Sequence, residues 1–430
     1  VREYLRRIVD SELDLRLEAF GATLIVGPKW CGKTTTAMQK AKSVLRLQDP
    51  DKRAGYLATA QTKPSLLLRG ETPRLIDEWQ DAPMLWDAVR TAVDDRQEEG
   101  LFILTGSTSV DDKGILHTGT GRISRLKMYP MSLYESKESN GSVSLKKLFF
   151  EKDYEIDGAM SHLSVEQLIH SACRGGWPSS IEKKTDAARL LIAKEYLTNI
   201  CEADITTVDG VARNPVWTEA IVKSYARNLS TLAKKITIHK DVIANADSMS
   251  LATLDSYINA LERLFVIEDI EAWSPAIRSA TVIRLGNKRG FVDPSIAVAA
   301  LGLTPEVLQM DLKTFGFIFE SLCIRDLKIY SHALGGRISY YHDRYGLEAD
   351  AVLHLDDGRY ALIEIKLGSA EIEEGAQHLI QLKELVKGTI ENDRKSTLRE
   401  PDMLIVITGG EMAYERSDGI KIIPIGCLKD

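Results

Sequence analysis

Cysteine is scarce in this chain, and what there is does not cluster. The five residues Cys31, Cys173, Cys201, Cys323 and Cys427 are scattered over 430 positions and form neither C-x-x-C pairs nor His-associated clusters. A structural zinc site and a disulfide framework are thereby excluded as organising devices. Long hydrophobic runs are missing too: no stretch of about 18 apolar residues occurs, so no membrane partner is expected. The first residues read as charged and amphipathic, without a basic stretch followed by an apolar core, and the expected location is the cytoplasm. Nor is there an excess of positive charge. With 62 acidic against 55 basic residues the formal net charge is −7, which argues against nucleic-acid binding through overall charge and leaves only local basic patches for that role. Internal repeats and long low-complexity tracts are also absent. A chain of 430 residues exceeds one ordinary core and implies two to four domains.

What the sequence does contain is a phosphate-loop pattern. Gly27-Pro28-Lys29-Trp30-Cys31-Gly32-Lys33-Thr34 fits G-x-x-x-x-G-K-[ST], follows the apolar run Leu24-Ile25-Val26 and leads into a helical stretch beginning Thr35-Thr36-Ala37. A strand that turns through such a loop into a helix presents successive backbone N–H groups, and the positive end of the helix, to an anion. Residues Gly27 to Thr35 are therefore the expected nucleotide contacts. Lys33 reaches the β- and γ-phosphates, and the Thr34 hydroxyl ligates Mg²⁺. Cys31 reads as a small filler within the loop.

Short apolar runs at Thr23 to Val26, Ala54 to Ala58, Arg74 to Ile76 and Leu101 to Leu104 alternate with helical patterns, which predicts βαβ units and a parallel sheet. An amphipathic helix is expected over the first 20 residues or so. The second acidic element of an NTP site is Asp77-Glu78, after Leu75-Ile76. Asp77 holds Mg²⁺ through water, and Glu78 orients or deprotonates the attacking water. The next strand ends in Thr105-Gly106-Ser107, where Ser107 or Thr105 is placed to sense the γ-phosphate. Arg122, and less favourably Arg125, is a candidate arginine finger toward its own or a neighbouring copy's nucleotide.

Together with Arg7-Ile8-Val9-Asp10, Pro73 to Gln80, Leu104 to Ser107, Gly121-Arg122-Ile123 and Pro130-Met131-Ser132-Leu133, these motifs resemble a bacterial and archaeal family of AAA-type ATPases. The resemblance covers about the first 135 residues. It implies ATP as the nucleotide and a C-terminal region with a winged helix and a nuclease-like fold; a homo-oligomer is a separate expectation, raised by the arginine that could reach a neighbouring copy's nucleotide.

The later residues carry their own signals. Ser250 caps a helix with Leu251, Leu254, Ile258, Leu261 and Leu264 on one face, and the β-rich segment Phe265 to Ile270 follows. With two preceding helices this makes a winged helix-turn-helix. Its outward positions Thr253, Asp255, Asn259 and Glu262, with Glu268, Asp269 and Glu271 in the wing, favour packing or a protein partner over base reading. Farther on, Asp350 lies in one strand pattern and Glu364-Ile365-Lys366 in the next. Alternate strand residues share a face, so Glu364 and Lys366 point the same way. Asp350 and Glu364 then make a metal pair, with Lys366 orienting water for phosphodiester hydrolysis. In order, helix acid Glu320, strand acid Asp350, Glu364, Lys366 and helix residue Gln377 resemble the PD-(D/E)XK nuclease superfamily.

The resulting expectation is an α/β protein: an AAA-type P-loop domain with a parallel sheet over 1–145, a helical connector over 146–215, a winged helix over 216–290 and a restriction-endonuclease-like α/β domain over 291–430. Its function is Mg²⁺-dependent ATP hydrolysis coupled to a nuclease-like module with DNA as a partner. The alternative is an ATP-gated switch that binds protein or nucleic acid and carries a silent nuclease-like domain.

Overall fold

The computed structural model describes residues 3–107, 119–245, 249–274, 286–343, 345–392 and 398–430. By its contacts the chain forms two compact units, Val1–Pro130 with Arg263–Phe265, and Met131–Glu262 with Val266–Asp430. Residues 131–145, read from sequence with the ATPase domain, thus pack within the second unit. Arg344, part of the strand pattern around Asp350, and 275–285, within the expected wing, lie outside the described residues.

The first unit runs α1 (Val9–Ala19), β1 (Ala22–Val26), α2 (Lys33–Met38), β2 (Ser43–Arg46), α3 (Arg53–Thr62), β3 (Arg74–Asp77), α4 (Met84–Arg96), β4 (Phe102–Gly106) and β5 (Ile123–Lys127). Its five strands lie in the order β2-β3-β4-β1-β5, every neighbouring pair parallel. A parallel sheet is covered on both faces, so its strands are apolar at consecutive positions. Leu24, Ile76 and Leu104 pack with Trp79, Trp86 and Val89 on one side. Their sequence neighbours Ile25, Leu75 and Ile103 pack with Leu13, Leu126 and Met128 on the other. The run Ala54 to Ala58, expected as a strand, lies in α3. Alanine is the best helix former, and a short apolar run cannot settle the choice by periodicity. The strand unseen in sequence is β2, whose pattern Ser-Val-Leu-Arg carries only two apolar residues.

The second unit opens with β6 (Val143–Ser144) and α5 (Leu145–Phe150). The helices α6 (Val165–Arg174), α7 (Pro178–Ile181), α8 (Asp186–Asn199), α9 (Ile205–Thr207), α10 (Pro215–Arg227), α11 (Lys235–Asn245) and α12 (Leu251–Arg263) follow. The cap of α12 is as read, with Ser250 Oγ accepting the Thr253 N–H at 3.0 Å. The expected strand pair after it is reduced, among the described residues, to single bridges Ile267 to Phe291 and Ile270 to Lys288. Two of the wing's three acids turn inward, Asp269 to Arg289 and Glu268 to Lys328, while Glu271 is exposed.

Next come α13 (Pro294–Leu301), α14 (Pro305–Met310), α15 (Leu312–Ala333), β7 (Gly336–His342), β8 (Glu348–Leu355), β9 (Tyr360–Lys366), α16 (Ile372–Asn392), β10 (Met403–Thr408), β11 (Tyr414–Glu415), β12 (Lys421–Pro424) and β13 (Leu428–Lys429). The sheet order is β11-β12-β10-β9-β8-β7, with β9, β10 and β12 parallel and β7-β8-β9 antiparallel. Leu379, Leu382 and Val386 of α16 cover Val352, Leu362, Leu404 and Val406 of the strands. Separately, β13 pairs in parallel with β6. Among the described residues no helix is long and apolar enough to cross a membrane.

Candidate functional site

The phosphate loop leaves the C-terminal end of β1 and enters α2. At Gly27, with φ +150°, an added Cβ would stand 2.1 Å from the Met128 carbonyl oxygen, so only glycine fits that close approach. Gly32 caps α2 with φ +103°, again a backbone closed to ordinary side chains. Lys33 is buried and donates from Nζ to the carbonyls of Gly27 and Pro28 at 2.9 and 2.7 Å. Cys31 is fully buried, as a filler should be, whereas Trp30 is exposed at the loop surface. Pro28 is buried, Lys29 half-buried and Thr35 exposed.

Asp77 ends β3, the second strand away from β1 across β4. Its Oδ1 accepts from Thr34 Oγ1 and from Thr105 Oγ1, each at 2.7 Å. A strand-tip carboxylate and the loop hydroxyl are thus held together, the donor set a hydrated Mg²⁺ needs. Glu78 follows in the left-handed region with φ +55°. For a non-glycine residue that conformation costs about 1–3 kcal/mol and persists where the surroundings demand it. Its carboxylate accepts from Gln80 Nε2 and, at 3.4 Å, from Ser107 Oγ. The structure therefore brings Thr34, Asp77, Glu78, Thr105 and Ser107 together beside Lys33.

Three supporting residues were not assigned roles from sequence. Gln80 holds Glu78, and Arg7 donates to the Cys31 carbonyl and to that of Tyr129, each at 2.8 Å. Tyr4 adds a bridge, donating to Asp10 at 2.7 Å while lying 3.0 Å from Thr36 Oγ1 of α2. The signal available was the charged Arg7-Ile8-Val9-Asp10 segment ahead of the loop, but charge alone does not say which carbonyls it caps.

Arg122 does not join the cluster. Because β1 and β5 are parallel with Ala22 opposite Ile123, Arg122 lies at the N-terminal edge of the sheet, whereas the phosphate loop leaves the C-terminal edge. Its guanidinium pairs with Asp94 at 2.8 Å, and Arg125 sits over the Trp86 ring at 6.0 Å. An arginine-finger role toward the chain's own nucleotide is therefore corrected by the strand direction. Arg122→Ala is expected to leave ATP turnover of the monomeric protein within about twofold, since an exposed ion pair contributes little; a steady-state phosphate-release assay checks this.

In the second unit, β8, β9 and α15 converge on a cavity of about 810 Å³ lined by Lys288, Glu320, Tyr340, Asp350 and Lys366 among others. Asp350 accepts the Ile365 N–H at 2.9 Å, and Lys366 Nζ stands 2.7 Å from Glu364 and 3.9 Å from Asp350. The shared face expected of Glu364 and Lys366 is thus present in the geometry. Glu320 is there too, through Lys288, which pairs with Glu320 and, at 3.2 Å, with Asp350. Gln377 is not: it is turned outward to Glu373 at 3.0 Å, and His378, one residue on, faces Glu364 at 3.7 Å. A helical step of one residue, about 100°, makes that difference. Lys288 was missed because it lies far from the strand motif in sequence.

Burial dominates the electrostatics. Glu364, fully buried and beside Asp350, is pushed up to about 9. Burial also raises Glu320, to about 7 even against the Lys288 ammonium. For Asp350 burial acts in the same direction, yet Lys288, Lys366 and the Ile365 N–H outweigh it and hold the carboxyl below its ordinary value. Among the described residues no group of three or more His, Cys, Asp or Glu side chains is disposed to hold a metal ion.

These two constellations can be set beside known proteins. Residues 19–137 match the AAA domain family, a stretch that covers most of the first unit and the first seven residues of the second. Residues 165–307 and 315–428 match two domains of unknown function, DUF8612 and DUF4143. Uncharacterized proteins of Mycobacterium bovis and Mycobacterium tuberculosis are each 22% identical over 312 residues, 71% of this chain and 60% of theirs. The chain thus spans less than two thirds of the length of these curated relatives. Among solved structures, a Walker-type ATPase of Pyrococcus abyssi is similar with a TM-score of 0.40 and 12% identity, over 68% of this chain and 94% of that one. A RuvB mutant of Thermotoga maritima is similar at 0.25 and 16%, over 70% and 93%.

Proposed function

We propose that the protein hydrolyses ATP with Mg²⁺ in its first unit and that the nucleotide state governs the second unit, a winged-helix and nuclease-like module that acts on or beside DNA. The observation that carries the ATPase half is the single cluster in which Thr34 and Thr105 both donate to Asp77, with Glu78 and Lys33 alongside. Thr34 and Asp77 are the residues that would hold Mg²⁺, whose charge, once bound, offsets that of the β- and γ-phosphates. The backbone N–H groups from Gly27 to Thr34 bind the phosphates. Lys33 gives up two carbonyl oxygens for phosphate oxygens, a stronger charge-assisted contact. Glu78, steered by Gln80 and Ser107, takes the proton of the attacking water. Ser107 links Glu78 to the end of β4, where loss of the γ-phosphate would be felt.

The nuclease-like half is supported by the meeting of Asp350, Glu364 and Lys366 on adjacent strands. A specific observation favours the second reading, an ATP-gated binding switch with a silent module: Lys288 already pairs with both Glu320 and Asp350. The deciding experiment measures ATP turnover and Mg²⁺-dependent nicking of supercoiled DNA on wild type, Lys33→Ala and Glu364→Ala. Under the first reading nicking disappears in Glu364→Ala while turnover stays. Turnover without nicking by any of the three leaves the switch as the function, and turnover that survives Lys33→Ala rejects the ATP site itself.

A further inference from the structure

We propose that Lys288 is a built-in cation of the carboxylate pocket in the second unit, standing where a divalent metal would otherwise be held and keeping the folded pocket metal-free. This rests on the nuclease-like reading of that unit, since it is under that reading that a metal is expected in this pocket. Its Nζ pairs with Glu320 of α15 and stands 3.2 Å from Asp350 of β8. These are the helix acid and the strand acid that a bound cation would bridge. The ammonium is nearly withdrawn from solvent, with its side chain 10% exposed and those of Glu320 and Asp350 13% and 9%.

Backbone fixes it there. Lys288 and Ile270 exchange both N–H···O bonds at 2.9 Å, so the residue is anchored rather than dangling from a surface loop. On the other side of Asp350, Lys366 stands 3.9 Å away and pairs with Glu364. Two ammoniums therefore serve three carboxyl groups. A divalent ion entering this set would face two positive charges already seated against the acids, Lys288 between Glu320 and Asp350 and Lys366 beside Glu364.

The test is Mn²⁺ binding to the nucleotide-free full chain, followed by loss of the free-ion electron paramagnetic resonance signal. All proteins carry Asp77→Asn so that the nucleotide site contributes nothing. The Lys288-intact chain is expected to bind no Mn²⁺ at millimolar ion, and Mn²⁺ should not shift its thermal midpoint. Lys288→Met and Lys288→Gln should each bind one equivalent, lost on adding Asp350→Asn, and Lys288→Arg should bind none. Circular dichroism identifies any variant that fails to fold, and the glutamine variant, which keeps a donor for Glu320, guards against that outcome. One equivalent bound by the Lys288-intact chain and abolished by Asp350→Asn overturns the inference while leaving the nuclease-like reading in place. Folded Lys288 variants that bind nothing overturn both.

Discussion

Glu78→Gln lowers ATP turnover by about 10²–10⁴-fold, the usual contribution of a positioned general base, and leaves ATP binding unchanged. The separation follows from geometry. In the proposed site binding rests on the loop N–H groups, Lys33 and Thr34, to none of which Glu78 is hydrogen-bonded. The carboxylate instead accepts from Gln80 and Ser107, contacts an amide oxygen can retain, so the substitution removes the proton acceptor and little else. The backbone of residue 78 keeps its left-handed turn because Gln80 and the Thr105 hydroxyl, which accepts the Glu78 N–H at 3.3 Å, still hold it. Phosphate release under saturating ATP, beside titration with a fluorescent ATP analogue, reads the two effects apart. Equal losses in both would mean that Glu78 builds the binding site rather than serving the chemical step. Turnover near wild type would assign the water to another residue.

The second large effect concerns stability, and it lies in the second unit. Arg325 of α15 is 1% exposed and pairs with Asp293 at 3.0 Å and Asp326 at 2.8 Å, both fully buried. Asp293 also accepts the Gly176 N–H at 2.9 Å, and Asp326 that of Leu133 at 3.0 Å. Burial pushes Asp326 up to about 6 despite the guanidinium. Arg325→Ala would strand two carboxyl groups away from water, and breaking such a buried set costs about 3–5 kcal/mol. Urea unfolding followed by fluorescence should show the midpoint of the second unit falling accordingly. Arg325→Met should fall similarly, since it replaces volume without charge. A midpoint within experimental scatter of wild type would mean that the network is replaced by water or by proton uptake on Asp326 at little expense.

The sequence was most legible where chemistry restricts the backbone. The loop from Gly27 to Thr34 needs glycine at two defined turns, and Asp77 and Glu78 follow a run of apolar residues, so pattern and spacing located both. Strands β8 and β9 could be read because half-buried and fully buried strands leave short apolar runs between turn residues. What escaped was set by tertiary packing. Ala54 to Ala58 is apolar enough for a strand, but its alanines favour the helix it forms. Arg122 follows a glycine pair, a common setting for a finger, and only the parallel pairing of β1 with β5 reveals which edge it occupies. Gln377 and His378 differ by one helical position, finer than a helix boundary can be judged from one sequence. Lys288 and Arg7 act through carbonyls and carboxylates supplied by remote segments, for which no local pattern exists.

The pairing of β13 with β6 bears on how the chain is made. Ser139 Oγ donates at 2.7 Å to the carbonyl of Leu428, a residue 289 positions later. At a synthesis rate of about 5–20 residues per second, this partner emerges about 15–60 s after Ser139 itself. The five-stranded sheet, whose last strand ends at Lys127, can close early in that interval. The backbone groups of Val143 and Ser144 meanwhile wait without their strand partner, an open edge until Leu428 and Lys429 arrive. Vectorial synthesis therefore gives the nucleotide unit a head start over the unit it is proposed to govern.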